Sequence, residues 1–487
     1  MSTTVAKVST HAERARFGYP PRPASNRRKA ARRGGGWGSV AVLTFAAFVC
    51  CTLWAGVATD LDVGFGAVAG VVLLLLVAPV LRRLGAREHA FDLTGLLFAA
   101  FALKLLGAFV RLVVIQRVYD DVADAGVYHF WGERLAPQFQ RLDFTADVAA
   151  PVPGTGALRY ITGLVYAVSG SDFFVGFLVF STLSFLGTVF FYLAFATAVP
   201  NGNRRRYALL VLLWPTMLFW PSSTGKDAWM VFTVGLASYG IARVFAHGRG
   251  GYLCLAAGLA GTTAVRPHIT LVLFVAIFVA YLLRPVDGTV GGGWFGKLAG
   301  VVVLLVVGSL VVANVEEYFG IDELNPDSVT ATLDEAQRRS SQGGSGYEPI
   351  RVNSPVDYPL AVTTVLFRPF PHEAGSAVML ATSAEGLVLA VLVVLAAWSL
   401  WSLRHALGLL RASPYLLFAL SYVAMFCFAF AAIGNFGILA RQRAQVLPLL
   451  FVLLALPPAP TIVRRARVPS RTEAGPSGDA DGDDVGG

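Results

Sequence analysis

Apolar runs long enough to cross a lipid bilayer recur along most of this 487-residue chain. A hydrocarbon core of about 30 Å needs roughly 20 consecutive apolar residues in a helix. Within lipid, a helix satisfies its backbone amides inside its own segment, so it is the structure that such runs favour. With 55% hydrophobic and only 14% charged residues, the chain also falls outside the soluble globular class. We therefore predict an all-α polytopic membrane protein.

Arginine-rich segments flank the apolar runs and predict their orientation. The net charge is +9, and under the positive-inside rule we interpret this excess as membrane topology and not as nucleic-acid binding. Residues 1–37 are predicted to be a disordered basic cytoplasmic arm that touches membrane lipids. Residues 38–460 form the membrane domain, and residues 461–487 a disordered cytoplasmic tail. Both termini are then cytoplasmic in a multi-pass protein of the plasma membrane.

Hydropathy and loop charge together predict about twelve transmembrane helices. They lie at roughly 39–58, 63–81, 92–115, 172–199, 206–220, 227–246, 252–265, 268–284, 295–315, 380–402, 414–433 and 441–457.

The short apolar stretch 154–170 is predicted not to cross the membrane. If it crossed, the cluster Arg204-Arg-Arg206 would fall outside, against the charge rule. We therefore predict an interfacial helix on the outer face. Two large outer loops, 116–171 and 316–379, complete this topology.

An acidic cluster, Asp120, Asp121 and Asp124, follows the third predicted span, with Tyr128 and His129 just after it. The topology places this cluster at the outer surface. A carboxylate beside a spanning helix is either in contact with water or functional, since burying its charge alone is expensive. A solvated loop that caps a helix remains the alternative for any one of the three.

Basic residues also occur on the predicted outer face, where the charge rule expects few. They are Lys226, Arg266, Arg368, Arg441 and Arg443. Each has an ordinary explanation, as a snorkelling side chain, a loop anchor or an interfacial anchor. Together with the carboxylates, however, they predict a charged surface suited to an anionic substrate. The histidines, His372 among them, show no metal-ligand spacing, so no metal site is predicted.

Three segments within roughly 90–460 resemble the GT-C superfamily of membrane glycosyltransferases. Asp124-Ala-Gly-Val-Tyr128-His129 is similar to the Asp-Glu-x-x-Tyr pattern of its outer loop. Residues 153–170 resemble its Pro-entered surface helix, and residues 439–448 its Arg-Tyr-x-x-Pro segment. The chain departs from the family in having Ala125 in place of the second acid, Gln442 in place of the tyrosine, and two extra spans before the acidic loop.

This resemblance, to the aminoarabinose- and mannosyl-transferase-like branch, implies a specific reaction. A sugar passes from a polyprenyl-phosphate-linked donor to a glycan, lipid or protein acceptor of the cell envelope. Such transfer needs a base for the acceptor hydroxyl and cations for the leaving phosphate. No cofactor is required, although a divalent cation is compatible with the reaction. The expected residues are Asp124 as base, with Asp121 or Asp120 as alternates; Lys226, Arg266, Arg368, Arg441 and Arg443 for the donor phosphate; and Tyr128, His129 and His372 for substrate contacts.

Two other functions stay open at this point. An O-antigen or polysaccharide polymerase or ligase would depend on Arg368 or Arg266 more than on Asp124. A lipid-linked-glycan flippase or transporter would line a path at mid-membrane with polar residues.

Overall fold

The structure, a computed structural model, describes most of the membrane domain. It covers residues 36–119, 123–145, 147–246, 248–284, 293–321, 323, 325–341, 345–352, 354–399, 408, 410 and 413–457. Within these residues the regular elements are helices, together with an isolated antiparallel bridge between Gly346 and Asn435. The predicted arm, apart from Gly36 and Trp37, and the predicted tail lie outside the described residues. So do Asp120 and Asp121.

The described residues of the first half of the chain form eleven helices. They are α1 (Gly36–Ala58), α2 (Gly66–Gly85), α3 (Leu93–Arg117), α4 (Asp124–Gln140), α5 (Thr155–Ser169), α6 (Phe173–Ala198), α7 (Arg204–Leu213), α8 (Pro215–Phe219), α9 (Lys226–Phe245), α10 (Gly251–Val265) and α11 (Pro267–Leu282).

The described residues of the second half contain seven α-helices and two 3-10 turns, at Pro371–Glu373 and Arg443–Gln445. The helices are α12 (Gly293–Phe319), α13 (Pro326–Ser340), α14 (Tyr358–Phe367), α15 (Ala377–Ser399), α16 (Pro414–Phe430), α17 (Phe436–Gln442) and α18 (Leu447–Leu454).

Seven of the described helices are long and apolar enough to cross a membrane, and an eighth span results if α17 and α18, bent by 60°, count as one. The chain is a polytopic α-helical membrane protein, as predicted. Each of the twelve predicted segments falls on a helix or on two consecutive helices. Because α10, α11, α14 and α16 are shorter apolar helices, the total of twelve spans stays a prediction.

Helices α6 and α9 pack closely against each other near the centre of the bundle. A Cβ atom added to Gly235 of α9 would overlap the backbone carbonyl of Gly187 on α6. Lipid offers apolar side chains as good an environment as another helix does, so close contact through small residues is what holds membrane helices together. This contact fixes α9, whose first turn contributes to the site described below.

The helix is broken between α7 and α8, and two charged side chains inside the bundle form hydrogen bonds with backbone groups next to this break. Pro215 starts α8 and interrupts the backbone hydrogen-bond pattern. Lys104 of α3 donates its Nζ to the carbonyl of Met217 at 2.6 Å. Glu385 of α15 accepts from the N–H and Oγ1 of Thr216 at 3.3 and 2.9 Å. Neither charge was predicted as a site residue, and both have a structural partner at the break.

Helices α4 and α5 form a hairpin that carries the acidic segment. The prediction of a helix at 154–170 is matched by α5, while its position along the membrane surface stays a prediction. A Cβ on Gly163 would lie 2.7 Å from the Cβ of Leu135, so the two helices approach closely. Gly154, at a φ of +126°, donates its N–H to the carbonyl of Ala264 at 2.9 Å. This bond attaches the hairpin to the end of α10.

Candidate functional site

A cavity of about 540 Å³ lies where the ends of α3, α4, α9, α15 and α17 meet. This volume is within the range of small-molecule sites, roughly 300–1,000 Å³. Polar and aromatic groups line it together. The charged lining residues are Arg111, Asp124, Asp227 and Arg441.

Asp227 is the buried acid of this site, with 9% of its side chain exposed. Its Oδ1 accepts from Nη2 of Arg266 at 3.1 Å, and its Oδ2 accepts from Nε of Arg441 at 2.9 Å. The carboxylate lies in the first turn of α9, where the helix dipole favours a negative charge. Two guanidinium groups and a helix end therefore compensate the cost of burying it.

Arg441 joins this buried acid to the exposed one. Its Nη2 donates to Oδ2 of Asp124 at 3.1 Å. Asp124 begins α4 and exposes 63% of its side chain. Asp227 is thus enclosed by cations, whereas Asp124 is oriented by one arginine and remains open to the cavity and to water. Of these two acids, Asp124 is the one that an incoming hydroxyl can reach.

Arg111 of α3 also lines the cavity and is only 5% exposed. Its Nε and Nη1 have no hydrogen-bond partner within the described structure. Its guanidinium carbon lies 4.9 Å from the ring centre of Trp220, 5.1 Å from that of Phe219 and 5.7 Å from that of Tyr119. As far as the described residues show, the site therefore holds a buried cation with two N–H donors that have no acceptor.

Two predicted phosphate ligands, Arg266 and Lys226, lie behind Asp227 and outside the cavity lining. Besides its bond to Asp227, Arg266 donates Nη1 to Oε1 of Gln442 at 2.5 Å. Lys226 donates Nζ to Oγ1 of Thr155 at the start of α5, at 2.9 Å. Both cations contribute positive potential to the site, and Lys226 also links α9 to the α4–α5 hairpin.

Arg368 pairs with a local acid instead of lining the cavity. Its Nε donates to Oε1 of Glu373 at 3.0 Å, and its guanidinium lies 4.5 Å from the ring centre of Tyr347. Burial raises the pKa of Glu373, but hydrogen bonds from Arg368 and from the N–H of Phe370 outweigh it and lower that pKa below its usual value. Glu373 is therefore ionised at neutral pH and neutralises Arg368. The predicted substrate ligand His372 stacks on Phe370 in the same turn.

Arg443 is buried in the 3-10 turn after α17 and also lies outside the cavity lining. Its Nε donates to the carbonyl of Val365 on α14 at 2.7 Å. Its Nη2 has no hydrogen-bond partner within the described residues. Arg443, a predicted phosphate ligand, thus links the turn after α17 to α14.

Tyr128 and His129 lie on α4, away from the cavity lining. Tyr128 packs against Leu158 and Phe180, and burial raises the pKa of its hydroxyl above the usual value. His129 pairs its Nδ1 with the hydroxyl of Tyr166 at 2.8 Å. These contacts hold α4 against α5 and α6, so both residues support the position of Asp124.

Sequence reasoning missed two of the four charged lining residues, Asp227 and Arg111. Asp227 directly follows Lys226 at the start of an apolar run, and Arg111 lies inside the predicted span 92–115. A charge within a span is by default a candidate for function. That signal was present in the sequence for both residues.

Fold and cavity together define a polytopic α-helical membrane protein with a paired-carboxylate, arginine-lined cavity at one end of the bundle. No family model, curated protein or solved structure matches the chain. Among the described residues, no group of three or more His, Cys, Asp or Glu side chains is arranged to hold a metal ion. The functional argument accordingly depends on the cavity and its charges.

Proposed function

We propose that this protein is a membrane glycosyltransferase that works at the outer face of the plasma membrane. It moves a sugar from a polyprenyl-phosphate-linked donor to a glycan, lipid or protein acceptor of the cell envelope. The observation that carries the proposal is the exposed carboxylate of Asp124, oriented by Arg441 in a cavity that also contains the unpaired donors of Arg111.

The chemistry assigns a role to each lining charge. Asp124 accepts the proton of the acceptor hydroxyl. At the same time, the hydroxyl oxygen of the acceptor forms a bond to the anomeric carbon of the donor sugar. The bond from that carbon to the phosphate oxygen breaks, and its electron pair leaves with the phosphate. Arg441 and Arg111 stabilise the charge that develops there. Asp227 is a positioning residue, because it holds Arg441 in place through the bond at 2.9 Å.

The alternative functions have less support from the geometry. A polymerase or ligase would depend on Arg368 or Arg266, but neither guanidinium lines the cavity, and each is paired with a carboxylate, Glu373 or Asp227. A transporter would place free charged side chains along a path through the bundle interior. Lys104 and Glu385 do lie there, but both are bonded to the broken segment around α8.

The test is transfer of labelled sugar from a membrane lipid extract to glycan by membranes that contain the protein. Asp124→Asn keeps the shape of the side chain and removes the base. We expect the transfer rate to fall by about 100-fold or more. The matched control is Asp143→Asn, an exposed acid just after α4 whose recorded bonds are to Thr145 in its own loop. Each variant is compared at equal amounts of folded protein.

The result also separates the alternatives. Full transfer by Asp124→Asn, combined with loss in Arg368→Ala, contradicts the transferase proposal and favours the polymerase or ligase. Unchanged labelling in both variants favours transport.

A further inference from the structure

We infer that Arg111 is the residue that receives the oxyanion of the substrate, through Nε and Nη1. The inference rests on the proposed function in taking that oxyanion to be a phosphate attached to an isoprenoid lipid. It assigns a ligand to a side chain that the sequence patterns did not single out.

The Arg111 side chain is a buried cation with N–H donors that have no acceptor among the described residues. A guanidinium stays charged at any pH at which proteins fold, and it carries five N–H donors in a rigid fork. Arg111 is 5% exposed, and two of those donors are buried without an acceptor in the described structure. A buried donor without a partner is costly. A bound oxyanion would supply the missing acceptors.

The faces of the surrounding rings supply no acceptor to Nε and Nη1 of Arg111, although the hydroxyl of Tyr119 is also a hydrogen-bond neighbour of the guanidinium. Tyr119, Phe219 and Trp220 lie within 5.7 Å of the guanidinium carbon and stabilise the positive charge through their faces. A cation–π contact favours the charge but leaves in-plane N–H groups to bond elsewhere. The rings therefore hold the guanidinium in a fixed position at the edge of the cavity, which prepares it for a planar, two-point contact with phosphate.

Charge is distributed unevenly among the cations around the cavity. Arg441 is committed to Asp227 and Asp124, and Arg266 to Asp227. In the part of the chain that the structure describes, no ion pair includes Arg111. Among the described residues, Arg111 is thus the lining cation that forms no ion pair, and it faces the same cavity as Asp124.

The experiment measures binding, without turnover, on the full-length protein in lipid nanodiscs. The probes are an isoprenyl phosphate without sugar, the matching isoprenol, and inorganic phosphate. Arg111→Met removes the guanidinium and its N–H donors, and Arg111→Lys keeps a positive charge. Arg117→Met is the control on the same helix, because Arg117 pairs with the exposed Asp60.

We expect wild-type protein to bind isoprenyl phosphate more tightly than isoprenol or inorganic phosphate. Arg111→Met should weaken that affinity by roughly 10- to 100-fold, the usual effect of a charged hydrogen-bond partner. The affinity of Arg111→Lys for isoprenyl phosphate should lie between those of wild-type protein and Arg111→Met. The affinity of Arg117→Met should equal that of wild-type protein. Equal affinity for isoprenyl phosphate and isoprenol in wild-type protein overturns the inference, and this result does not depend on whether any variant folds.

The remaining outcomes separate the inference from the proposed function. Unchanged isoprenyl phosphate affinity in folded Arg111→Met overturns the inference and the stabilising role of Arg111 in transfer. Asp124 as the base of the proposed transferase is then decided by its own variant, Asp124→Asn. If inorganic phosphate binds as tightly as isoprenyl phosphate, the inference that the bound phosphate belongs to a lipid is contradicted. Binding that depends on Arg111 and persists in Asp124→Asn supports the inference, even if no sugar transfer is found.

Discussion

The arrangement around Asp227 explains how one acid can be buried while its neighbour remains reactive. Arg441 donates Nε to Asp227 and Nη2 to Asp124, so one guanidinium is shared between an enclosed and an exposed carboxylate. Arg266 supplies the second cation that Asp227 needs. Because the buried acid already compensates Arg441, that arginine can orient Asp124 without enclosing it.

We predict that Asp227→Asn destabilises the protein by about 3–5 kcal/mol, because it leaves the buried guanidinium of Arg266 without its carboxylate and takes one of two carboxylates from Arg441. The measurement is thermal unfolding of purified protein in detergent. Asp60→Asn is the control, since it removes the acid of an exposed pair with Arg117. A change for Asp227→Asn no larger than that of the control would contradict this account of the buried acid.

At the residue scale, the sequence predicted part of the site. Asp124 and Arg441 were identified because unusual charges at predicted span ends and a family-like pattern coincided there. Arg368 and Arg443 looked equivalent to Arg441 in the sequence, but their partners, Glu373 and the carbonyl of Val365, depend on local turns and on helix contacts. Hydropathy does not indicate which of several arginines has a local partner.

At the element scale, the contact between α6 and α9 sets the position of the first turn of α9. Gly187 and Gly235 allow the two backbones to approach, and a side chain at either position would meet backbone atoms of the other helix. Backbone cannot move aside as a flexible side chain can. The position of Asp227 thus depends on a contact about two helical turns further along α9.

We predict that Gly235→Ala lowers the free energy of unfolding by about 1–3 kcal/mol, since even one methyl group overfills this contact. Gly38→Ala is the matched control on α1, where an added Cβ meets nothing within 4 Å. That control should be neutral or slightly stabilising because alanine favours helix. Thermal unfolding of both variants measures the difference, and equal midpoints would show that α6 and α9 are not closely packed.

The ends of the apolar helices were predicted better than the interruptions within them. The predicted segment 206–220 is two helices, α7 and α8, because Pro215 disfavours helical geometry at Trp214. The predicted loop 316–379 contains α14, a ten-residue apolar helix that is too short to register as a span. Windowed hydropathy averages over such breaks and omits such short helices.

At the scale of the whole molecule, the cavity collects charges from helices that are far apart in sequence. Asp124 and Arg441 are 317 residues apart, yet they share a hydrogen bond. The apolar faces of α12 and α15 stay mostly exposed, as expected of surfaces that contact lipid. Sequence patterns predict which helices are apolar, but the meeting of their ends depends on packing that no local pattern encodes.

The predicted orientation of the protein in the membrane can be tested with one cysteine at each end of the helical bundle. Asp143→Cys lies after α4 on the predicted outer side, and Arg205→Cys lies at the start of α7 on the predicted cytoplasmic side. In intact cells, a membrane-impermeant maleimide should label the first variant and reach the second only after permeabilisation. The reverse pattern would place the cavity inside the cell and contradict the outer-face assignment. The background replaces the native cysteines with alanine, at Cys50, Cys51, Cys254 and Cys427.

The central claim is that the cavity transfers sugar from a lipid phosphate with Asp124 as base. The most direct measurement uses purified protein in nanodiscs with an isoprenyl-phosphate-linked sugar and an acceptor glycan, and counts both products. The account predicts one lipid phosphate released for each glycosidic bond formed, with both rates about 100-fold or more lower in Asp124→Asn. Equal rates for Asp124→Asn and wild-type protein would contradict it.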